Sequence, residues 1–191
     1  MADNDSRTAG VLQPIEAQNT SEVETRLRFF VAQITGLDKK LVRTRWLKKP
    51  GTQPTVDTDW CAVGILGIRT NGTPNIKGKK GNLDDPESGD VVSIAHQTLD
   101  CMATFYGPNA SYYADVLRSG MTLAQNNAWL QSQGLTVHGL DEIRRAPDFI
   151  FNQWIDRYDL SFRVGRKVSY KYGVRTIVDA DFEISTEKGK L

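Results

Sequence analysis

His96, Thr98 and Asp100 alternate along one stretch and carry the residue types of a proton-relay set. Their spacing defeats that chemistry. Neighbours two apart on a strand lie about 7 Å from each other, too far for the side-chain hydrogen bonds a triad needs, so a polar sheet face is the expectation. His96 and Cys101 are an odd number apart and point to opposite faces, which prevents shared metal ligation from a regular strand. His138 stands alone beside Gly139. The run Gly78-Lys79-Lys80-Gly81 has the composition of a phosphate cradle, but no strand feeds it and no helix opens after it to aim N–H groups at an anion. Asp84, Asp85, Glu87 and Asp90 lack the EF-hand pattern and its closing Glu, and read as a solvated acidic loop. Walker A, GxGxxG, HExxH and GxSxG are all missing. The expectation is a chain with no catalytic residues, no metal and no cofactor.

Two features point to partners instead. Lys39, Lys40, Arg43, Arg45, Lys48 and Lys49 surround Trp46, a pattern able to track a phosphate backbone and stack on a base. The same charges would also guard a solvated strand edge against unwanted pairing. The second feature is residues 71–90, rich in Gly, Pro, Asn and charge, which read as a long hairpin loop with Lys77, Lys79, Lys80, Asp84 and Asp85 as contact residues. Overall charge decides little here: the formal net charge is +1, so any nucleic-acid or membrane attraction must be local.

The 191 residues suit one core, and 39% hydrophobic with 25% charged residues is ordinary globular composition. The polar start MADNDSRTAG is unlike a signal peptide, no apolar run is long enough to span a bilayer, and the expected place is the cytosol. Cys61 and Cys101 lack metal or redox spacing and are expected as buried thiols. Residues 1–19 are expected as a loose arm. A helix is predicted from a capping box at Ser21 and Glu24, carrying Val23, Leu27, Phe30, Val31 and Ile34 to Gly36. A strand over 41–47 follows, then a loop, then a strand through TDWCAVGILGIRT apolar enough to be covered on both faces. After the 71–90 loop, Leu99, Cys101, Ala103 and Phe105 alternate with Thr98, Asp100, Met102 and Thr104 in a strand with a wet face.

Asn109 is the expected N-cap of a helix ending at Gly120, and a further helix is expected over 122–133. Three strand segments close the chain: LTVHGL, then QWIDRYDLSFRVGR with Trp154, Asp156, Tyr158, Leu160, Phe162 and Val164 on one face, then YKYGVRTIVDADFEI with its own alternation. A turn at Gly165-Arg166-Lys167 would pair the last two. The fold class is therefore α+β, with a mixed, mostly antiparallel sheet flanked by about three helices in a single domain.

Several segments together resemble the tail-terminator, or neck, proteins of long-tailed bacteriophages. They are Thr58-Asp59-Trp60-Cys61-Ala62 with Gly64-Ile65, Phe105-Tyr106-Gly107-Pro108-Asn109-Ala110, and Tyr113-Ala114-Asp115-Val116-Leu117-Arg118. Gln125-Asn126 before Leu130 and Gly134-Leu135, Arg145-Ala146-Pro147, and Gln153-Trp154-Ile155-Asp156-Arg157-Tyr158-Asp159 continue the series in order over residues 20–184. The resemblance implies a non-enzymatic virion subunit of a hexameric ring that caps the tail tube, stops its polymerisation and meets the head connector. A contractile tail would also anchor its last sheath ring there, and genome DNA would pass through without specific binding. No membrane is implied, and assembly in the host cytoplasm is. The family has no catalytic residues, so the resemblance transfers structural and interface candidates alone: Trp60, Phe105, Tyr106, Pro108, Trp154 and Arg157. The 1–19 arm, the 71–90 loop and the 185–191 tail are the expected partner-contacting segments.

Overall fold

In the computed structural model, residues 11–15, 20–46, 51–79, 89–150 and 152–174 are described. Helix α1 (Thr20–Thr35) buries Val23, Leu27, Phe30 and Val31 on one stripe and stops before Gly36. It begins at Thr20, so Ser21 lies inside the helix and not at its cap. Glu24 accordingly turns elsewhere, its Oε1 accepting from the Ile65 N–H at 3.5 Å.

The short strand β1 (Val42–Thr44) runs parallel to β2 (Trp60–Lys79), with Val42 beside Cys61 and Thr44 beside Val63. Strand β3 (Asp90–Tyr106) follows, then α2 (Ala110–Gly120) and α3 (Ala124–Ser132). The last described elements are β4 (Leu135–Arg145), a small hairpin of β5 (Asp148–Ile150) and β6 (Gln153–Ile155), and β7 (Arg157–Gly173). The main sheet has the order β1-β2-β3-β7-β4, and β5 and β6 pair apart from it. Side-chain pairs Arg69–Asp100 and Asn71–Thr98 step in opposite directions along β2 and β3, as antiparallel neighbours must. β4 pairs antiparallel with β7 through two register shifts. Three helices and a mostly antiparallel mixed sheet match the expected fold class.

Two compact units make up the chain. The larger, Gln18–Pro74 with Ala95–Val168, holds the core. There Leu27, Phe30 and Val31 of α1 join Cys61, Val63, Leu99, Cys101, Ala103, Phe105, Leu160 and Phe162 of the sheet and Leu117 of α2 in one buried cluster. Trp129 lies parallel to Phe30 at 5.8 Å and brings α3 onto the same cluster. The corner between α2 and α3 is tied by Asn126, whose Nδ2 donates to Gly120 O at 2.8 Å, and by Asn127, whose Nδ2 donates to Met121 O at 3.0 Å. The smaller unit takes Met1–Ala17, Asn75–Ile94 and Ser169–Leu191. Within it Ile15 N donates to Lys171 O at 2.7 Å, and Lys171 Nζ meets Asp90 Oδ2 at 2.9 Å. β2, β3 and β7 contribute residues to both units.

Several expectations change. The 71–90 segment is strand from 71 to 79, because β2 runs on through exposed residues past Gly72, whose φ is 69°; 80–88 lie outside the described residues. β2 is buried only as far as Gly64, since β1 stops opposite Val63, and Leu66 and Ile68 are 47% and 45% exposed. The face of β3 expected to be wet is partly dry: Thr98 and Thr104 are buried, Thr104 accepting from Arg45 Nη1 at 2.6 Å. No turn interrupts β7 at Gly165. His138 packs closely against it: a Cβ at Gly165 would sit 3.2 Å from His138 Nδ1, so the imidazole would have to shift to admit one. The strand expected over 170–184 lies beyond 174 outside the described residues. Trp154 also leaves the face of Leu160, Phe162 and Val164, because a break at Asp156 separates β6 from β7.

Candidate functional site

Trp60, at the start of β2, and Tyr106, at the end of β3, are brought side by side by the pairing of their strands. Their rings stack with centroids 4.4 Å apart and 9° between planes. A guanidinium lies over each: Arg43 over Trp60 at 5.9 Å and Arg157 over Tyr106 at 6.0 Å. Burial pushes the Tyr106 phenol up from its ordinary pKa, and the Arg157 charge pulls it part of the way back.

Arg157 fixes this stack to the β5–β6 hairpin. Its Nε and Nη2 donate to Asp159 Oδ1 and Oδ2 at 3.1 and 2.8 Å, and its Nη1 donates to both Asp148 oxygens at 3.2 Å. The Asp159 hydrogen bonds raise the guanidinium pKa above its usual value, against the partial burial that would lower it. Arg157 and Asp159 sit two apart on β7, on one face, and Asp148 opens the hairpin. The hairpin then presents Phe149 and Trp154, a directly paired couple with ring centroids 5.2 Å apart, 58% and 72% exposed.

A second latch sits beside the stack. Asn109 N and Nδ2 donate to the two Asp59 oxygens at 2.8 Å each, so Asn109 holds the N-cap position of α2 while its side chain bonds Asp59 and makes no cap bond of its own. Gly107 permits this with φ 110°, and a Cβ there would meet Asp59 Oδ1 at 2.6 Å.

Of the residues expected to form the site, Trp60, Tyr106 and Arg157 therefore meet. Phe105, next to Tyr106, faces the other way into the core and is 1% exposed. Pro108 is exposed, and with Gly107, Trp154 and Ile155 lines a shallow recess. Lys77 and Lys79 are exposed on β2, and Lys80, Asp84 and Asp85 lie outside the described residues. Sequence reading did not name Asp148, Phe149 or, beyond its place in the Gln153–Asp159 segment, Asp159 as site residues. The same-face spacing of Arg157 and Asp159 was a usable signal for one of them.

The basic stretch is largely engaged with its own chain. Lys39 Nζ lies 4.5 Å from the Phe29 ring, Arg43 Nη1 donates to Thr52 O at 2.7 Å, and Arg45 is spent on Thr104. Lys48 and Lys49 lie outside the described residues. Trp46 remains 64% exposed, with Arg45 at 5.5 Å from its ring, beside a groove of about 410 Å³ lined also by Trp60 and Tyr106. The imagined relay is dismantled by side-chain pairing: Asp100 meets Arg69 at 3.0 Å and Thr98 bonds Asn71. Both thiols are buried, and burial pushes Cys101 up to about 12 and Cys61 well above the ordinary value, leaving both protonated. Among the described residues no helix is long and apolar enough to cross a membrane.

The geometry is that of braced aromatic and ion-pair contacts. Compared with known proteins, the chain matches a family model described as phage neck terminator protein over residues 21–189. No curated protein sequence matches it.

Proposed function

The chain belongs to the phage neck terminator family, structural proteins of the bacteriophage virion, and on that premise we propose that it closes the finished tail tube as a hexameric ring. One side of the ring ends tube polymerisation and the other receives the head connector; in a contractile tail the last sheath ring would anchor to it as well. Genome DNA passes through the ring without specific binding, as suits a chain of net charge +1.

The supporting observation is the braced hairpin. Phe149 and Trp154 stand exposed on a two-stranded support whose base is held by Arg157, Asp148 and Asp159. Exposed aromatics on a rigid mount favour a protein partner, because little conformational entropy is lost when they are covered. The test is to add the purified protein to polymerising tube protein and measure tube lengths. Growth arrest at substoichiometric ratios supports termination, and lengths unchanged at excess protein reject it.

Trp46 beside Arg45 favours a second reading, a nucleic-acid-binding module on the 39–49 stretch. A DNA mobility shift that weakens with salt and is lost in Lys48→Ala/Lys49→Ala would support it.

A further inference from the structure

An open groove of about 460 Å³ runs between α1, α2 and the start of α3, within the larger unit. Ile34 of α1, Tyr112, Asp115 and Val116 of α2, and Leu123 and Asn126 line it. Beside it α1 and α2 approach so closely that a Cβ at Gly120 would collide with Ile34. The chain then turns into α3 through Leu123, which holds the N-cap position and makes no cap bond. Ser, Thr, Asp or Asn suits that position, because a side-chain oxygen there accepts from a free N–H of the first turn. Leucine forgoes that bond and gains no burial in return: Leu123 is 57% exposed, and Tyr112 62%. A side chain that breaks the local rule without a gain inside its own chain marks a surface that something else covers.

The same chain carries a matching patch elsewhere, the Phe149–Trp154 pair on its braced hairpin. These two side chains leave on the order of 250 Å² open, and Tyr112 with Leu123 about as much; either is about a third of the ~800 Å² that one partner gives a standard interface. The charges beside the two patches are opposite. Asp115 is exposed in the groove and makes no ion pair among the described residues, since Arg118, one turn on, donates to Asp141 O. Arg144 stands opposite Asp159 in the β4–β7 ladder, beside the brace of the hairpin. It too is exposed and without an ion pair among the described residues, because Arg157 already answers Asp159.

We propose that the Phe149–Trp154 hairpin of one copy of the chain seats in the groove between α1, α2 and α3 of a second copy, with Arg144 of the first facing Asp115 of the second. Two apolar patches of equal size are then removed from water together, and two charges lacking ion pairs are matched. The braced aromatics lose little freedom on docking. Because the two surfaces differ, the joint is head to tail, and repeating it closes a ring when the rotation permits. That last step rests on the ring reading above; the joint itself does not.

Two full-length variants test the two sides and spare the fold. Phe149→Thr with Trp154→Thr removes the aromatics and leaves a favourable cross-strand pair. Ser119→Arg with Leu123→Ser fills the groove, and both changes suit their helices, a basic residue in the last turn of α2 and an N-cap oxygen for α3. Light scattering should give an oligomer for the unaltered chain and a monomer for each variant alone. Mixed, the two variants should form a heterodimer, because one intact hairpin then meets one intact groove. A chain with Gln153→Cys and another with Ser119→Cys should cross-link to each other under a mild oxidant such as diamide, faster than either does to itself, since Cys61 and Cys101 are buried. An oligomer that survives both variants, or an unaltered chain that stays monomeric at high concentration, overturns the joint and leaves the ring reading to the tube-length assay. A variant-sensitive oligomer that stops at two copies, or never caps tubes, supports the joint and overturns the ring.

Discussion

Tyr106 lies flat on Trp60, 4.4 Å between ring centroids, with Arg43 and Arg157 over the two outer faces. The stack joins the far ends of β2 and β3 and, through Arg157, the aromatic hairpin. The packing of the strand ends and the placement of the exposed Phe149–Trp154 pair are thereby linked through one cluster.

The stacking itself should be measurable. In a double-mutant cycle of Trp60→Leu and Tyr106→Leu, urea unfolding should return a coupling of about 1 kcal/mol, typical of an aromatic pair beyond its buried area. Independent, additive effects would mean that the two rings are only neighbours.

Arg157→Ala should destabilise the fold by about 2–3 kcal/mol, since it strands Asp159, whose side chain is 13% exposed, and releases Asp148. Arg157→Lys should cost less but still lose the two-pronged contact. Denaturant midpoints should rank unaltered chain, Lys, then Ala.

Gly107→Ala should cost about 2–3 kcal/mol, because φ 110° is unfavourable for any residue with a Cβ and that atom would collide with Asp59. The loss should show as a lower thermal midpoint. Asp59→Ala should cost about 1 kcal/mol through the N-terminus of α2.

The thiols give a pH dependence. Burial raises both pKa values in the folded chain, so the unfolded chain releases thiol protons first as pH rises. Their contribution to stability is complete below the ordinary thiol value and declines above it, by about 1.4 kcal/mol per pH unit per thiol. For Cys101 the decline continues until the pH reaches about 12. Urea unfolding at pH 8 and pH 10 should show the loss, and Cys101→Ala should reduce it. A thiol reagent at pH 8 should label neither cysteine until denaturant is added.

The apolar alternation of Leu99, Cys101, Ala103 and Phe105 was enough to place the core strand, because burial on one face leaves a period of two in the chain itself. α1 was equally readable from its stripe. What failed was reading backbone exceptions from composition. Gly165 looks like a turn, yet it sits inside a continuous strand with the His138 imidazole packed close to it. Residues 71–79 look like a loop, yet they are strand, since an exposed edge does not need apolar alternation to stay extended. Trp60, Tyr106 and Arg157 could be singled out, but their meeting depends on strand register, which local sequence does not encode. Phe149 escaped notice because its role lies in exposure.

The most direct measurement is electron microscopy of tail tubes incubated with the purified protein. The account predicts a hexameric ring seated on a tube end, absent from the tube wall. Bare tube ends beside excess free protein, or protein decorating the wall along its length, would contradict it.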